Sequence, residues 1–321
     1  MQGIFKFVLR ICLFGILALL VLEALVRIFH LYKDTPDRMI DNKQVEKYQP
    51  NQSGYSVTGN RRQNISAYRI NGSGFNSFRE FTPGVETTEV ALVGDSFIEG
   101  FHEDYQNSLG KQIEEEIPGL QVYEYGYAGY DLADELHLIH AYADSFKNID
   151  YVFIYLRFED DLRRGSYEVV YDRVRLDEGF YRVLKKSKLI VYIQNIGLLR
   201  SLRNSIVSFK NTFFGSSFAK TMDSEAENEN VESRYLKNFH SLLNEYPINP
   251  DKHFFLLDGR IAPKSLIQYM ESKGISYVDF GVELEKADGP TTLIYDQHWS
   301  PKGRKLVVKS VCRSLSDLNN K

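Results

Sequence analysis

Cysteine is nearly missing from this chain. Its 321 residues hold two, Cys12 and Cys312. Cys12 sits in an N-terminal apolar segment, so neither a disulfide framework nor a bridge between the two is expected. An exported location is still open, because many exported folds lack disulfides. No Cys/His cluster stands at metal-ligand spacing, which argues against a structural zinc site. His137 and His140 are three apart, but no third ligand accompanies them, so a helix face packed against Tyr or Glu is the expectation. Positive charge is not in excess either. Lys and Arg number 39 against 43 Asp and Glu, a net charge of −4, which excludes nucleic acid as an expected partner. No internal repeat and no cofactor motif is present.

One long apolar run does exist, over residues 4–31, broken by Lys6, Arg10, Glu23 and Arg27. Its uncharged centre, residues 11–22, is shorter than the roughly 20 residues a bilayer span needs. Basic side chains near the ends can snorkel, so residues 7–26 can serve. Glu23 and Arg27 are four apart and share a helix face, which lowers the cost of burying either. A cleaved signal peptide fits less well, because Leu22-Glu23-Ala24-Leu25 is a poor cleavage site. Residues 1–32 are therefore expected to be an uncleaved membrane anchor in contact with lipid.

The next stretch, residues 33–67, is polar, with Pro36 and Pro50, and reads as a tether with local turns. In Tyr68-Arg69-Ile70-Asn71-Gly72-Ser73-Gly74-Phe75 the glycines suggest a tight loop and the aromatics suggest packing, so residues 33–85 are expected as tether plus packing loop. From residue 86 the pattern alternates. Strand-like runs at 89–93, 120–125 and 151–156 are separated by helical periodicities at 108–117 and from Leu132 onward, capped by Asp131. Strand, helix and strand return at 253–257, 263–272 and 276–280. Ser300-Pro301 then opens a last helix with the stripe Val307, Val311, Leu315 and Leu318. This alternation predicts an α/β domain with a parallel sheet over residues 86–321. Residues 162–250 break the rhythm and read as an insertion. It holds a basic aliphatic section at 185–203, where Lys185, Lys186, Lys188, Arg200 and Arg203 mark a solvated face by default and otherwise a surface for anionic lipid or glycan, and an acidic one at 223–232.

Three short motifs carry chemistry. Gly94-Asp95-Ser96 follows the apolar run Val90-Ala91-Leu92-Val93, so Ser96 sits on a sharp turn at the end of a buried strand. Asp296-Gln297-His298 falls on a loop just before the last helix. Ser96, His298 and Asp296 are the nucleophile, base and orienting carboxylate that acyl transfer needs. Gly126-Tyr127-Ala128-Gly129 lies between the second strand and its helix, where glycine lets the backbone approach a ligand.

On these residues the chain resembles the SGNH (GDSL-like) hydrolase superfamily, in the form of its membrane-anchored bacterial members. Ser96 matches the nucleophile, Gly129 the glycine of the second block, and Asp296 with His298 the last block. The resemblance covers residue 68 to the C-terminus. It implies a three-layer α/β/α fold, a catalytic triad of Ser96, His298 and Asp296, and an oxyanion hole built by Ser96 and Gly129 with a third-block residue. The chain departs from the pattern there: Asp160 stands where the family usually has Asn, and an ionised carboxylate cannot donate a hydrogen bond. The phrase Asp296-Gln297-His298-Trp299 is similar to that of superfamily members that acetylate exopolysaccharides. The expected function is thus a membrane-anchored O-acetyltransferase or esterase acting on a cell-envelope or exported glycan. A single-pass inner-membrane location with the domain outside, and a polytopic membrane O-acyltransferase as acyl-supplying partner, follow from the resemblance. The alternative is a weak or inactive SGNH-like domain that binds glycan or scaffolds an envelope complex.

Overall fold

The computed structural model describes residues 2–59, 62–84, 87–175, 179–198 and 231–319. Arg200, Arg203 and most of the acidic 223–232 stretch lie outside them. Helix α1, Gln2–Ile28, is continuous, and its Gly3–Ile28 portion is long and apolar enough to cross a membrane, with mean hydropathy 2.5. Its Ile, Leu and Phe side chains are largely exposed, as expected of a helix that meets lipid or is removed.

A five-stranded parallel sheet forms the centre. Its strands are β5 (Thr88–Gly94), β6 (Leu120–Gly126), β7 (Tyr151–Leu156), β8 (His253–Leu257) and β9 (Tyr277–Asp279), in the order β6-β5-β7-β8-β9. Because successive strand residues face opposite sides, each strand feeds two cores. Ala91, Val93, Ile154 and Phe255 join the core under the helices Leu132–Ala141, Val231–Glu245 and Lys264–Lys273. Val90, Leu92, Phe153 and Leu256 join the core under the helices Leu109–Glu116 and Pro301–Asn319. This is the expected three-layer α/β/α arrangement. The strands are apolar on both faces because both are covered. Strand order reverses at β5, and the crevice at the carboxyl end of such a switch strand is where open α/β sheets place their ligands.

Two expectations are corrected. Residues 33–67 are not a tether. They form two antiparallel hairpins, β1 (Arg38–Ile40) with β2 (Glu46–Tyr48) and β3 (Ser53–Thr58) with β4 (Asn64–Arg69). Val45, Tyr48 and Tyr68 from them, together with Ile70 and Phe75, lie in the main core. Polar composition concealed this, because polar side chains are held within the fold: Ser66 Oγ–H donates to the Phe101 carbonyl, 35 residues away, and Asp41 accepts from the Lys43 and Val45 N–H groups. The second correction narrows the insertion. Val231–Glu245 buries Phe239 and Leu242 completely and serves as the crossover helix between β7 and β8. Among the described residues, what remains outside the layers is three short helices, which follow β7 and the one-turn helix Phe158–Asp161: Tyr171–Arg175, Gly179–Lys185 and Lys188–Asn195.

Candidate active site

The Ser96 turn is set by two glycines. Gly94 ends β5 and pairs in register with Gly126, the end of β6. A methyl group on Gly94 would strike Ile98 Cγ1 at 2.4 Å, and one on Gly126 would strike the Glu99 backbone nitrogen at 2.0 Å. The turn therefore folds down onto the end of β6. Asp95 caps the one-turn helix Ser96–Glu99 by accepting from the Phe97 N–H at 2.9 Å, and Gly100, at φ 69°, ends it. Ser96 is left partly exposed just past the carboxyl end of β5.

His298 reaches it from the other end of the chain. Ser96 Oγ–H donates to His298 Nε2 at 2.8 Å, and His298 Nδ1–H donates to Asp296 Oδ1. The His298 backbone N–H also donates to Asp296 Oδ1, at 3.1 Å. The loop is fixed by Leu293 N–H to the His298 carbonyl and Ser300 N–H to the Thr291 carbonyl. Trp299, buried, packs edge-on against Phe97, Tyr155 and Phe280. The imidazole is thus held by covalent neighbours that cannot move without unpacking an aromatic cluster.

Several groups around the site carry no sequence motif. His102 is buried with its ring centroid 4.2 Å from that of His298. Arg304 Nη2–H donates to its Nε2 at 2.8 Å. Burial, and then the Arg304 charge, push His102 down to about 2, so a neutral ring packs against the proposed base. Glu99 is buried one turn after Ser96. Its Oε1 accepts from Tyr48 Oη–H at 2.6 Å and from the Ala128 N–H at 2.9 Å. It therefore joins the nucleophile turn, the Gly126–Gly129 loop and the β2 hairpin. Tyr48 explains why the hairpins matter to the site: one of their side chains braces it.

Burial raises Glu99 to about 7, with the bonds from Tyr48 and Ala128 opposing. The folded state binds this proton more tightly than the unfolded chain, whose carboxyl titrates near 4.5. Stability from this group is complete below pH 4.5 and is lost as pH rises through 7. Glu99→Gln is expected to remove that loss. Urea denaturation should find the variant more stable than wild type at pH 8.5 and close to it at pH 5. A variant less stable at both values would show that the charged form is the one the fold needs.

Gly129 adopts φ 98°, and its carbonyl accepts from Arg173 Nη1 at 2.7 Å. The loop is tied to the nucleophile strand by Tyr127 N–H donating to the Gly94 carbonyl at 3.0 Å. Among the described residues nothing accepts from the N–H of Gly129 or of Ser96. Asp160 sits at the end of β7 as expected, but its carboxylate is bonded to Arg157 Nη1 and Arg163 Nη2, both at 2.8 Å. It is an acceptor within an ion pair and supplies no oxyanion donor, which corrects its assignment to the hole. Sequence reasoning missed Arg157, which sits beside it. Arg157 Nη2 pairs with the buried Asp95 Oδ2 at 2.8 Å, its backbone N–H donates to Asp161 Oδ2, and its guanidinium lies over the Phe97 ring. Burial raises Asp95, and the Arg157 charge offsets this. Arg157→Gln leaves Asp95 without its cation, and breaking a buried pair costs about 3 kcal/mol. A loss of unfolding free energy, from urea denaturation, of less than a third of that would place the pair's worth at surface level.

Two cavities flank the triad. One, of about 640 Å³, is lined by Phe97, Arg157, Asp160, Gln297 and Trp299 among others. The second, of about 480 Å³, has Asp296 in its wall. His137 and His140 pack on Tyr167 and Tyr246, as expected of a structural helix face. Among the described residues no group of three or more His, Cys, Asp or Glu side chains could hold a metal.

No family model and no curated protein matches the chain. Among solved structures it is similar to a member of the lipolytic protein G-D-S-L family from Veillonella parvula, at 12% identity over 71% of this chain and 98% of that one, with a TM-score of 0.39. It is similar to TesA at 13% identity over 72% and 99%, TM-score 0.39. It is also similar to the esterase EstA from a Pseudoalteromonas species at 11% identity over 73% and 100%, TM-score 0.39. At these scores the likeness adds no weight to the chemistry. The weight lies in the bonded chain of Ser96, His298 and Asp296 on a parallel α/β sheet, which is a geometry fit for acyl transfer.

Proposed function

We propose that this protein is a membrane-anchored serine acyl-ester enzyme, an O-acetyltransferase or esterase acting on a cell-envelope glycan. The observation that carries the reading is the unbroken hydrogen-bonded line from Ser96 Oγ through His298 to Asp296. In the proposed reaction His298 Nε2 takes the Ser96 proton as Oγ attacks the ester carbonyl. Asp296 holds the Nδ1–H tautomer and stabilises the imidazolium. The carbonyl oxygen becomes an oxyanion that receives the N–H groups of Ser96 and Gly129. Collapse expels the alcohol, protonated by His298, and leaves an acyl-serine. Water or a sugar hydroxyl, deprotonated by His298, then releases the acyl group. With Asp160 occupied by two arginines, the hole rests on backbone donors. Loss of one side-chain donor costs on the order of 10²–10³ in rate, which favours a sugar hydroxyl bound beside the acyl-serine over free water.

The reading of α1 as a retained anchor has its own support. Glu23 accepts from the backbone N–H of Lys188 and Leu189 at 2.9 and 2.8 Å and from Ser187 Oγ–H at 2.9 Å. Val26 is buried. Cleavage of a signal peptide would strip these contacts from the domain. The test is the O-acyl content of the surface glycan in cells carrying Ser96→Ala. A loss of ester marks a transferase and a gain marks an esterase. Unchanged content would count against a glycan substrate.

A further inference from the structure

Two short helices join the anchor to the triad. These are α2 (Gly179–Lys185) and α3 (Lys188–Asn195), numbered here after α1. The N-terminus of α3 is bonded to Glu23 of α1, five residues before the α1 end at Ile28. At 1.5 Å per residue that is roughly 8 Å inside the end of the apolar helix. Arg27 Nη2–H also donates to the Lys186 carbonyl at 2.6 Å. If α1 spans a bilayer, α2 ends and α3 begins at the boundary between acyl chains and headgroups.

Their composition suits that place. Arg27, Arg182, Lys185, Lys186 and Lys188 line or border one basic hollow with Lys33. Val183 and Ile196 expose their apolar side chains to 59% and 48%. A basic surface with exposed apolar residues is what an interfacial helix presents to anionic lipid. Lys188 and Arg182 also meet Asp34 and Asp37 at 2.8 and 3.8 Å, so the pairing fixes the helices against the domain.

The other end of α3 reaches the site. Tyr192, Asn195 and Ile196 form one wall of the 480 Å³ cavity, Leu31 and Lys33 from the chain just past α1 form another, and Asp296 of the triad faces both. Eight helical residues span about 12 Å. The cavity beside Asp296 therefore opens within roughly that distance of the headgroup layer. A free polymer in bulk solution would have to approach past lipid; an ester on a glycan tethered to the same bilayer is already there.

We infer that the substrate is held by the membrane: a lipid-linked glycan that lies along the cavity between α3, the α1 exit and Asp296 and presents its O-acyl ester to the neighbouring Ser96. This rests on the acyl-ester reading above. Sharing one membrane raises effective concentration, an effect of about 10²–10⁴ where the geometry permits contact. The full chain is reconstituted in phosphatidylglycerol-containing vesicles. It is assayed on a cholesteryl-anchored acetylated glucose in those vesicles, on the same acetylated glucose in solution, and on p-nitrophenyl acetate.

The expected result is at least tenfold higher kcat/KM for the anchored ester than for the free one. Glu23→Ala, which releases α3, is expected to erase that preference while leaving p-nitrophenyl acetate turnover within twofold. Equal rates on anchored and free ester in wild type would overturn the inference. So would a Glu23→Ala variant that keeps the preference. Absence of turnover on p-nitrophenyl acetate would overturn the acyl-ester reading itself. A spin label at Val183→Cys, with Cys12 and Cys312 replaced by Ser, supplies a readout independent of turnover. Headgroup-depth accessibility is expected, and a fully aqueous label would also overturn the inference.

Discussion

Ser96→Ala is expected to abolish covalent labelling by a fluorophosphonate and to lower ester turnover by roughly 10⁴–10⁶-fold with the fold intact. The size follows from the mechanism. The reagent and the acyl group need the same Oγ, and no described side chain beside His298 offers a second nucleophile. The substitution is safe for the fold because Ser96 is partly exposed and its hydroxyl bonds only to His298 among the described residues. His298 keeps its Asp296 and Trp299 supports. Asp296→Asn is the companion test. It preserves shape but removes the acceptor that selects the Nδ1–H tautomer, and a loss of about 10⁴ is expected. Mass spectrometry of the labelled peptide and circular dichroism of each variant check both. A folded wild-type protein that takes no label would overturn the triad as a catalytic unit.

Gly126→Ala is expected to have the largest effect on folding of any single methyl group in the sheet. The added carbon would lie 2.0 Å from the Glu99 nitrogen, 2.4 Å from the Ile98 carbonyl carbon and 2.5 Å from the Glu99 Cα. All three are backbone atoms of the nucleophile helix, so no side chain can rotate away. Either β6 separates from β5 at the Gly94–Gly126 pair or the Ser96 turn is lifted off the sheet. Overpacking where side chains can adjust costs about 1–3 kcal/mol; here the cost should exceed that range. Expression as inclusion bodies, or a folded protein that no longer labels at Ser96, is the expected outcome. Gly119→Ala is the control, since nothing lies within 4 Å of its added carbon, although its φ of 88° imposes a modest strain. A Gly126→Ala protein with wild-type stability and labelling would show that the close contact is relieved by a shift the site tolerates.

Much of the fold was legible because parallel strands covered on both faces must be apolar throughout. The runs at 151–156 and 253–257 coincide with β7 and β8. Capping chemistry placed helices well where a side chain closes the end, as Asp131 and Asp134 do reciprocally in a capping box. The hairpins at 38–69 were missed because short strands that bury polar side chains look like a linker in composition. The crossover helix Val231–Glu245 was missed because it begins inside an acidic, polar run of sequence that hides its helical periodicity.

The sequence by itself determined the α/β alternation, the apolar N-terminal helix and the three residue types of the proposed triad, since each depends on local order or on a short motif. Only the tertiary structure brought Ser96 within hydrogen-bonding distance of His298, 202 residues away. It also seated His102 and Arg304 behind that imidazole, Glu99 under the nucleophile turn, and Arg157 between Asp95 and Asp160. The physical reason is that these groups work through burial and charge at close range. Burial and range are properties of the packed molecule, and no spacing along the chain encodes them.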